Sequence, residues 1–157
     1  MSIFPTTVLL ATDGSEYAEL ATTTALELAN STSSELHIVL VEEPVYAYVD
    51  PSGYPFFTDA ELEHELEQQA RMRLDAEVQK IRSAGGAVAE AHLRVGAAPA
   101  EIVELAEEIG AGLIVMGSRG LGGIRRALMG SVSDSVVRHA HCPVMVVRKE
   151  KQLVESI

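Results

Sequence analysis

Leu113-Ile114-Val115-Met116-Gly117-Ser118-Arg119-Gly120 decides how this chain folds. Four consecutive apolar residues carry no polar alternation, the pattern of a strand covered on both faces within a parallel sheet. Glycines then break the strand, and Gly130-Ser131 opens a helical segment at about 131–140 that is followed by a last strand at 144–148. Strand, turn, helix and strand in that order form one unit of an α/β fold.

Working toward the N-terminus, the same alternation repeats. Residues 7–12 predict a first strand, broken by Asp13-Gly14-Ser15, and a helix follows with Ala18, Ala21, Ala25 and Leu28 at helical spacing. The polar cluster Asn30-Ser31-Thr32-Ser33-Ser34 ends it, and residues 36–41 predict a second strand. Thr58 with Glu61 forms a capping box for a long helix whose stripe is Leu62, Leu66, Ala70, Leu74, Val78 and Ile81, stopped by Gly85-Gly86. A third strand is expected at 87–95. Pro99 suits the first turn of a third helix that buries Ile102, Leu105, Ala106 and Ile109 and closes at Gly110. The stretch at about 43–58, with Pro44, Pro51, Gly53 and Pro55, is the one long irregular flap. The expected architecture is a single Rossmann-like domain over 1–157, an open five-stranded parallel sheet with helices on both faces.

Composition bounds the partners. The chain has 157 residues, 12 basic and 23 acidic, for a net charge of −11. A protein that lives on nucleic-acid backbones needs a basic face, so nucleic acid is not an expected partner. Apolar runs such as 8–11 and 144–147 fall far short of the ~18 residues of a membrane span, and no membrane partner is expected. Without a basic–apolar leader at the start of the sequence, and with Cys142 as the one cysteine, the expected location is cytoplasmic. Ten acids and two bases (Arg71, Arg73) lie between Glu42 and Glu77, whereas Gly117 to Ser131 holds Arg119, Arg125 and Arg126 and no acid. The positive island coincides with the glycine-rich stretch.

That stretch suits an anion. Ligands of open parallel sheets sit beyond the carboxyl ends of the strands, at the point where strand order reverses. Strands one and four flank that point if the order is 3-2-1-4-5. Gly117 and Gly120, lacking Cβ atoms, let backbone amides approach a phosphate and allow positive φ. Gly130-Ser131-Val132-Ser133 stands at a helix start, where free N–H groups and the helix dipole favour negative charge. The arginines add bidentate donors, and the Ser131 and Ser133 hydroxyls could donate as well. A ligand-free reading stands beside this one: glycines make turns, and Ser131 with Asp134 forms a capping box. No lysine-bearing phosphate loop or dinucleotide fingerprint is present.

The pattern Gly117-x2-Gly120-x9-Gly130-Ser131, with Val132-Ser133, the distant Cys142-Pro143-Val144-Met145-Val146-Val147 and Ala11-Thr12-Asp13-Gly14-Ser15, resembles the universal stress protein family, in its ATP-binding branch. The resemblance covers nearly the whole chain and implies the 3-2-1-4-5 sheet, bound ATP and a homodimer. It implies that Asp13 and Val41 contact the ribose and adenine region, that Ala11 and Met116 at the flanking strand ends complete that region, and that Gly117, Arg119, Gly120, Gly130, Ser131, Val132 and Ser133 hold the phosphates. Asp13 could hold Mg²⁺ or serve as an N-terminal helix cap. The dimer would pair through the last strand, Val144, Met145, Val146 and Val147, whose edge otherwise lies open.

Catalysis is not evident. No general base or lysine stands at a predicted strand end, and the carboxylates there are Asp13, Glu42 and Glu43. The expected role is therefore an ATP-binding regulatory switch with slow or no hydrolysis. A nucleotide-free scaffold or chaperone-like dimer and a weak ATPase are the competing readings. His139-Ala140-His141-Cys142 reads as a helix end that complements carbonyls, not as a metal cluster, and Cys142 as a small buried side chain. His37, His64 and His92 read as scattered.

Overall fold

The computed structural model describes residues 2–44, 52, 60–118 and 130–148. In chain order its elements are β1 (Thr7–Ala11), a 3₁₀ turn (Glu16–Ala18), α1 (Glu19–Thr32), β2 (Glu35–Glu42), α2 (Ala60–Ser83), β3 (Glu90–Val95), α3 (Ala98–Ile109), β4 (Leu113–Gly117), α4 (Ser131–His139) and β5 (Val144–Val147). The five strands form one sheet in the order β3-β2-β1-β4-β5, every pairing parallel. The expected α/β architecture is the one observed.

The apolar runs of the central strands divide by parity. Val8 and Leu10 of β1, Leu36, Ile38 and Leu40 of β2, and Leu113 and Val115 of β4 pack with α1 and α2. Leu9 and Ala11, Val39, and Ile114 and Met116 pack on the other face with α3 and α4. Each run is apolar throughout because both of its faces need covering. The outer strands β3 and β5 have no fully buried residue.

Several boundaries differ from the sequence reading. The first helix buries Ala21, Ala25 and Ala29, with Ala18 buried in the 3₁₀ turn before it and Leu28 only partly covered, and it ends at Ser33 in the left-handed conformation. The long helix buries Ala70, Leu74, Val78 and Ile81, but Leu62 at its start is exposed. The sheet reaches only the second half of this helix, so the apolar stripe outruns what it packs against. The third strand begins at Glu90, three residues later than expected. Thr58, one half of the expected capping box, lies outside the described residues, as do residues 45–51 and 53–59 of the expected flap.

Candidate functional site

The turn after β1 is held by its own side chains. Thr12 N–H donates to Val39 O at 3.0 Å, carrying β1–β2 pairing one residue further. Gly14 N–H donates to Thr12 Oγ1 at 3.1 Å, and Ser15 N–H donates to Asp13 Oδ1 at 2.9 Å. Asp13 is not a helix cap: Ser15 precedes the 3₁₀ turn and Ala18 precedes α1. One carboxylate oxygen instead fixes the turn that presents the half-buried Asp13 at the sheet's carboxyl edge. Gly14 has φ 77°, a backbone conformation that favours glycine, and the Arg73 side chain of α2 lies 3.6 Å from where a Cβ would stand, an ordinary packing distance. Arg73 continues to Glu42, at the end of β2, in a 2.8 Å ion pair. Ser15 Oγ is buried without a hydrogen-bond partner among the described residues.

The second loop is clamped at both ends. Ser118 N–H donates to Val147 O at 3.0 Å, and Gly130 N–H donates to Ser118 O at 2.6 Å. Residues 117–118 and 130–133, separated by eleven residues outside the described set, are thereby brought side by side. Gly117 is the last residue of β4, paired with Val147, so it is extended and does not take the positive φ expected of it. Strand pairing to β5 overrides the freedom a glycine offers.

The start of α4 also differs from expectation. Gly130, at φ −71° and ψ 163°, occupies the N-cap position, and no side chain caps the helix. The Ser131–Asp134 capping box therefore does not form, because Ser131 is already the first helical residue. Gly130 O accepts from Asp134 N–H at 3.0 Å and from the Ser133 hydroxyl at 3.0 Å. Ser133 is buried, so its hydroxyl is spent inside the turn and is not turned outward as expected. The N–H groups of Ser131, Val132 and Ser133 have no acceptor within the helix, as in any first turn. Asp134, the one negative charge in that turn, forms an ion pair with Arg138 at 3.1 Å.

Beside this helix start lies an apolar surface. Ala11 and Met116 are register partners across β1 and β4. Both belong to the cluster against which Val41 and Val132 pack. The structure thus places Ala11, Asp13, Val41, Met116, Gly117, Gly130, Ser131, Val132 and Ser133 around the carboxyl ends of β2, β1 and β4. Arg119 and Gly120, also expected in the site, lie outside the described residues, with Arg125 and Arg126. An uncapped helix start next to an apolar surface can take a ligand with an anionic part and a flat apolar part. Glu42 was expected as a carboxylate at a strand end, but its partner Arg73 was not anticipated here; two arginines among ten acids were the signal in the sequence.

The remaining reactive side chains sort as follows. His139 Nδ1 donates to Ser135 O at 2.8 Å, the expected carbonyl complementation at a helix end, whereas His141 meets the Glu107 carboxylate of α3 at 3.1 Å instead of a carbonyl. Cys142 is half-buried against the α3–α4 cluster, and burial pushes its thiol pKa up. His37 and His92 are not scattered: their Nδ1 and Nε2 atoms meet at 3.1 Å on the neighbouring strands β2 and β3.

Comparison with known proteins matches the universal stress protein family over residues 5–148. A universal stress protein of Thermus aquaticus is 40% identical over 144 residues, covering 90% of this chain and 98% of the relative. One from Methanocaldococcus jannaschii is 34% identical over 145 residues, covering 92% and 83%. Among solved structures, the universal stress protein UspA from Lactobacillus plantarum superposes with a TM-score of 0.75 at 28% identity, covering 92% of this chain and 99% of that one. A universal stress protein in complex with cAMP superposes at 0.59 and 28% identity, covering 94% and 99%.

The two serines of the first turn separate by experiment. Ser133→Ala removes a buried hydroxyl that donates to Gly130 O and is expected to lower unfolding stability by about 1 kcal/mol. Ser131→Ala, at an exposed position, is expected to stay within about 0.5 kcal/mol of the parent. Urea titrations of the two variants check this; equal losses contradict the placement of the helix start.

Proposed function

The chain belongs to the universal stress protein family, and from that premise we propose that it binds an adenine nucleotide, ATP, and acts as a dimeric nucleotide-dependent regulatory switch with slow or no hydrolysis. The observation that carries this reading is the clamp from Gly130 N–H to Ser118 O, which brings the uncapped start of α4 to the end of β4 at the reversal point of the sheet. The relative solved with cAMP supports an adenine nucleotide as the ligand class.

The residues present fit such a ligand. Backbone amides at Ser131, Val132 and Ser133 receive the phosphates, Gly117 and Gly130 let them approach without a Cβ in the way, and Gly120 and Arg119 complete that set. Ala11, Val41 and Met116 line the apolar side where adenine packs, and Asp13 faces the ribose. Ser15 Oγ, buried without a partner, leaves one further donor at the same edge of the sheet. Asp13 is the residue that would hold Mg²⁺, which neutralises charge between phosphate oxygens when bound. Slow or absent turnover follows from the carboxylates: Asp13 Oδ1 already accepts from Ser15 N–H, and Glu42 is committed to Arg73. Neither stands as an uncommitted general base.

The dimer is proposed through β5. It is an edge strand, Met145 on it is 36% exposed, and Val137 of the adjoining α4 is 46% exposed. An exposed edge with apolar side chains invites pairing with a second copy.

Two experiments test these statements. ATP with Mg²⁺ at 100 times its Kd is expected to stabilise the fold by about 2.7 kcal/mol, a rise in Tm of about 5–10 °C for a chain of this size. Gly120→Val is expected to abolish the rise while leaving the nucleotide-free Tm near the parent's. Equal responses of variant and parent contradict the site. Light scattering is expected to give twice the 16.8 kDa chain mass, and Met145→Glu to shift the particle toward the single-chain mass. A single-chain mass for the parent contradicts the dimer.

A further inference from the structure

At the opposite end of the sheet from the site above, two strands carry the same tripeptide pattern. Glu35-Leu36-His37 begins β2 and Glu90-Ala91-His92 begins β3. The strands are parallel, with His37 opposite Glu90 and Val39 opposite His92. Residues two apart share a face, so all four side chains stand on the face that α3 covers. His37 Nδ1 and His92 Nε2 are 3.1 Å apart, and the ring planes differ by 13°. The 5.4 Å between ring centroids is the nitrogen separation plus two ring radii, so the imidazoles meet edge to edge with one proton between them. Glu35 Oε2 lies 3.7 Å from His37 Nε2, and Glu90 Oε2 lies 3.8 Å from His92 Nε2.

We propose that Glu90, His37 and His92 form a binding site for a divalent transition metal ion of the zinc class, with Glu35 as the carboxylate that orients His37. The ligand atoms of the first three residues all lie within 4.8 Å of one another. A tetrahedral ion with metal–nitrogen bonds of about 2.0–2.1 Å spans its two nitrogens by about 3.3–3.4 Å, so the rings need to part by a few tenths of an ångström and tilt out of line. The ion takes the place of the shared proton, which moves to the remote nitrogen of the same ring. Both imidazoles then ligate in the neutral form, and Glu35 stands beside the remote nitrogen of His37, where an outer carboxylate fixes the tautomer.

Burial favours this arrangement. The two imidazoles are only 11% and 13% exposed, whereas Glu35 and Glu90 are 72% and 64% exposed, which leaves an open, acidic entry to a sheltered pair of nitrogens. Among the described residues neither Glu35 nor Glu90 forms an ion pair with a lysine or arginine. Imidazole ligands select zinc, nickel or copper over magnesium and calcium.

The test is calorimetric titration of untagged, chelator-stripped full-length protein with Zn²⁺ in the presence of excess Mg²⁺, which competes for non-specific cation binding to the acidic surface. One tight Zn²⁺ per chain is expected, and His92→Gln is expected to weaken it at least tenfold. Glu35→Gln should weaken it by about 10–100-fold, the range for outer-shell partners. Glu90→Gln, a change at an exposed carboxylate that leaves the fold intact, decides the matter if His92→Gln does not fold, and is also expected to cost at least tenfold. A His139→Gln/His141→Gln variant should bind like the parent. Absence of a one-per-chain site, or a site lost in the His139/His141 variant and retained in Glu90→Gln, overturns the proposal and leaves the pair as a proton-sharing contact only.

Discussion

The ladder between β1 and β4 is the constraint on which the rest depends. Val8 to Ala11 pair in register with Leu113 to Met116, and from these two strands the chain leaves in opposite directions. The connection after β1 passes through α1 to β2, and the one after β4 passes through α4 to β5. The strand order thus reverses between β1 and β4, the position at which open parallel sheets bind ligands. Side chains then determine its chemistry: Asp13 and Ser15 on one side, and Gly117, Gly130 and the first turn of α4 on the other.

On the proposed function, a chain with a net charge of −11 gathers an anion by local means. The acids are concentrated from Glu42 to Glu77, and at the crevice Glu42 is paired with Arg73, Asp134 with Arg138, and Asp13 accepts from Ser15 N–H. What remains is the partial positive charge of a helix start with no side-chain cap. Had Ser131 capped α4, its oxygen would have met the donors that a phosphate needs. Gly130 at the cap position leaves those donors to a ligand, and Ser133 directs its hydroxyl back onto Gly130 O.

Element order and strand identity were legible in the sequence because non-alternating apolar runs alternate with helical stripes, while the 3-2-1-4-5 order of the strands came with the family resemblance. The candidate site was legible as a set of spacings, of which Gly117, Gly130 to Ser133 and the turn at Asp13 are described and Arg119 and Gly120 are not. What escaped has physical reasons. Whether Ser131 or Gly130 caps α4 depends on one residue of helix start, which Gly130's hydrogen bond to Ser118 decides and local composition does not. Asp13 looked like a cap because an Asx turn and a helix cap draw on the same side chain. The His37–His92 contact joins residues 55 apart and follows from strand register alone. Leu62 extends a stripe beyond the sheet it would pack against, and periodicity carries no information on where the partner surface ends.

The most direct test is the amide spectrum of isotopically labelled protein with and without saturating ATP and Mg²⁺. The account predicts that the largest shifts fall on the amides of Ser131, Val132 and Ser133, with further shifts at Gly14 and Ser15 and none at Glu90 and His92. Saturation of the protein with nucleotide while the Ser131–Ser133 amides stay in place would contradict it.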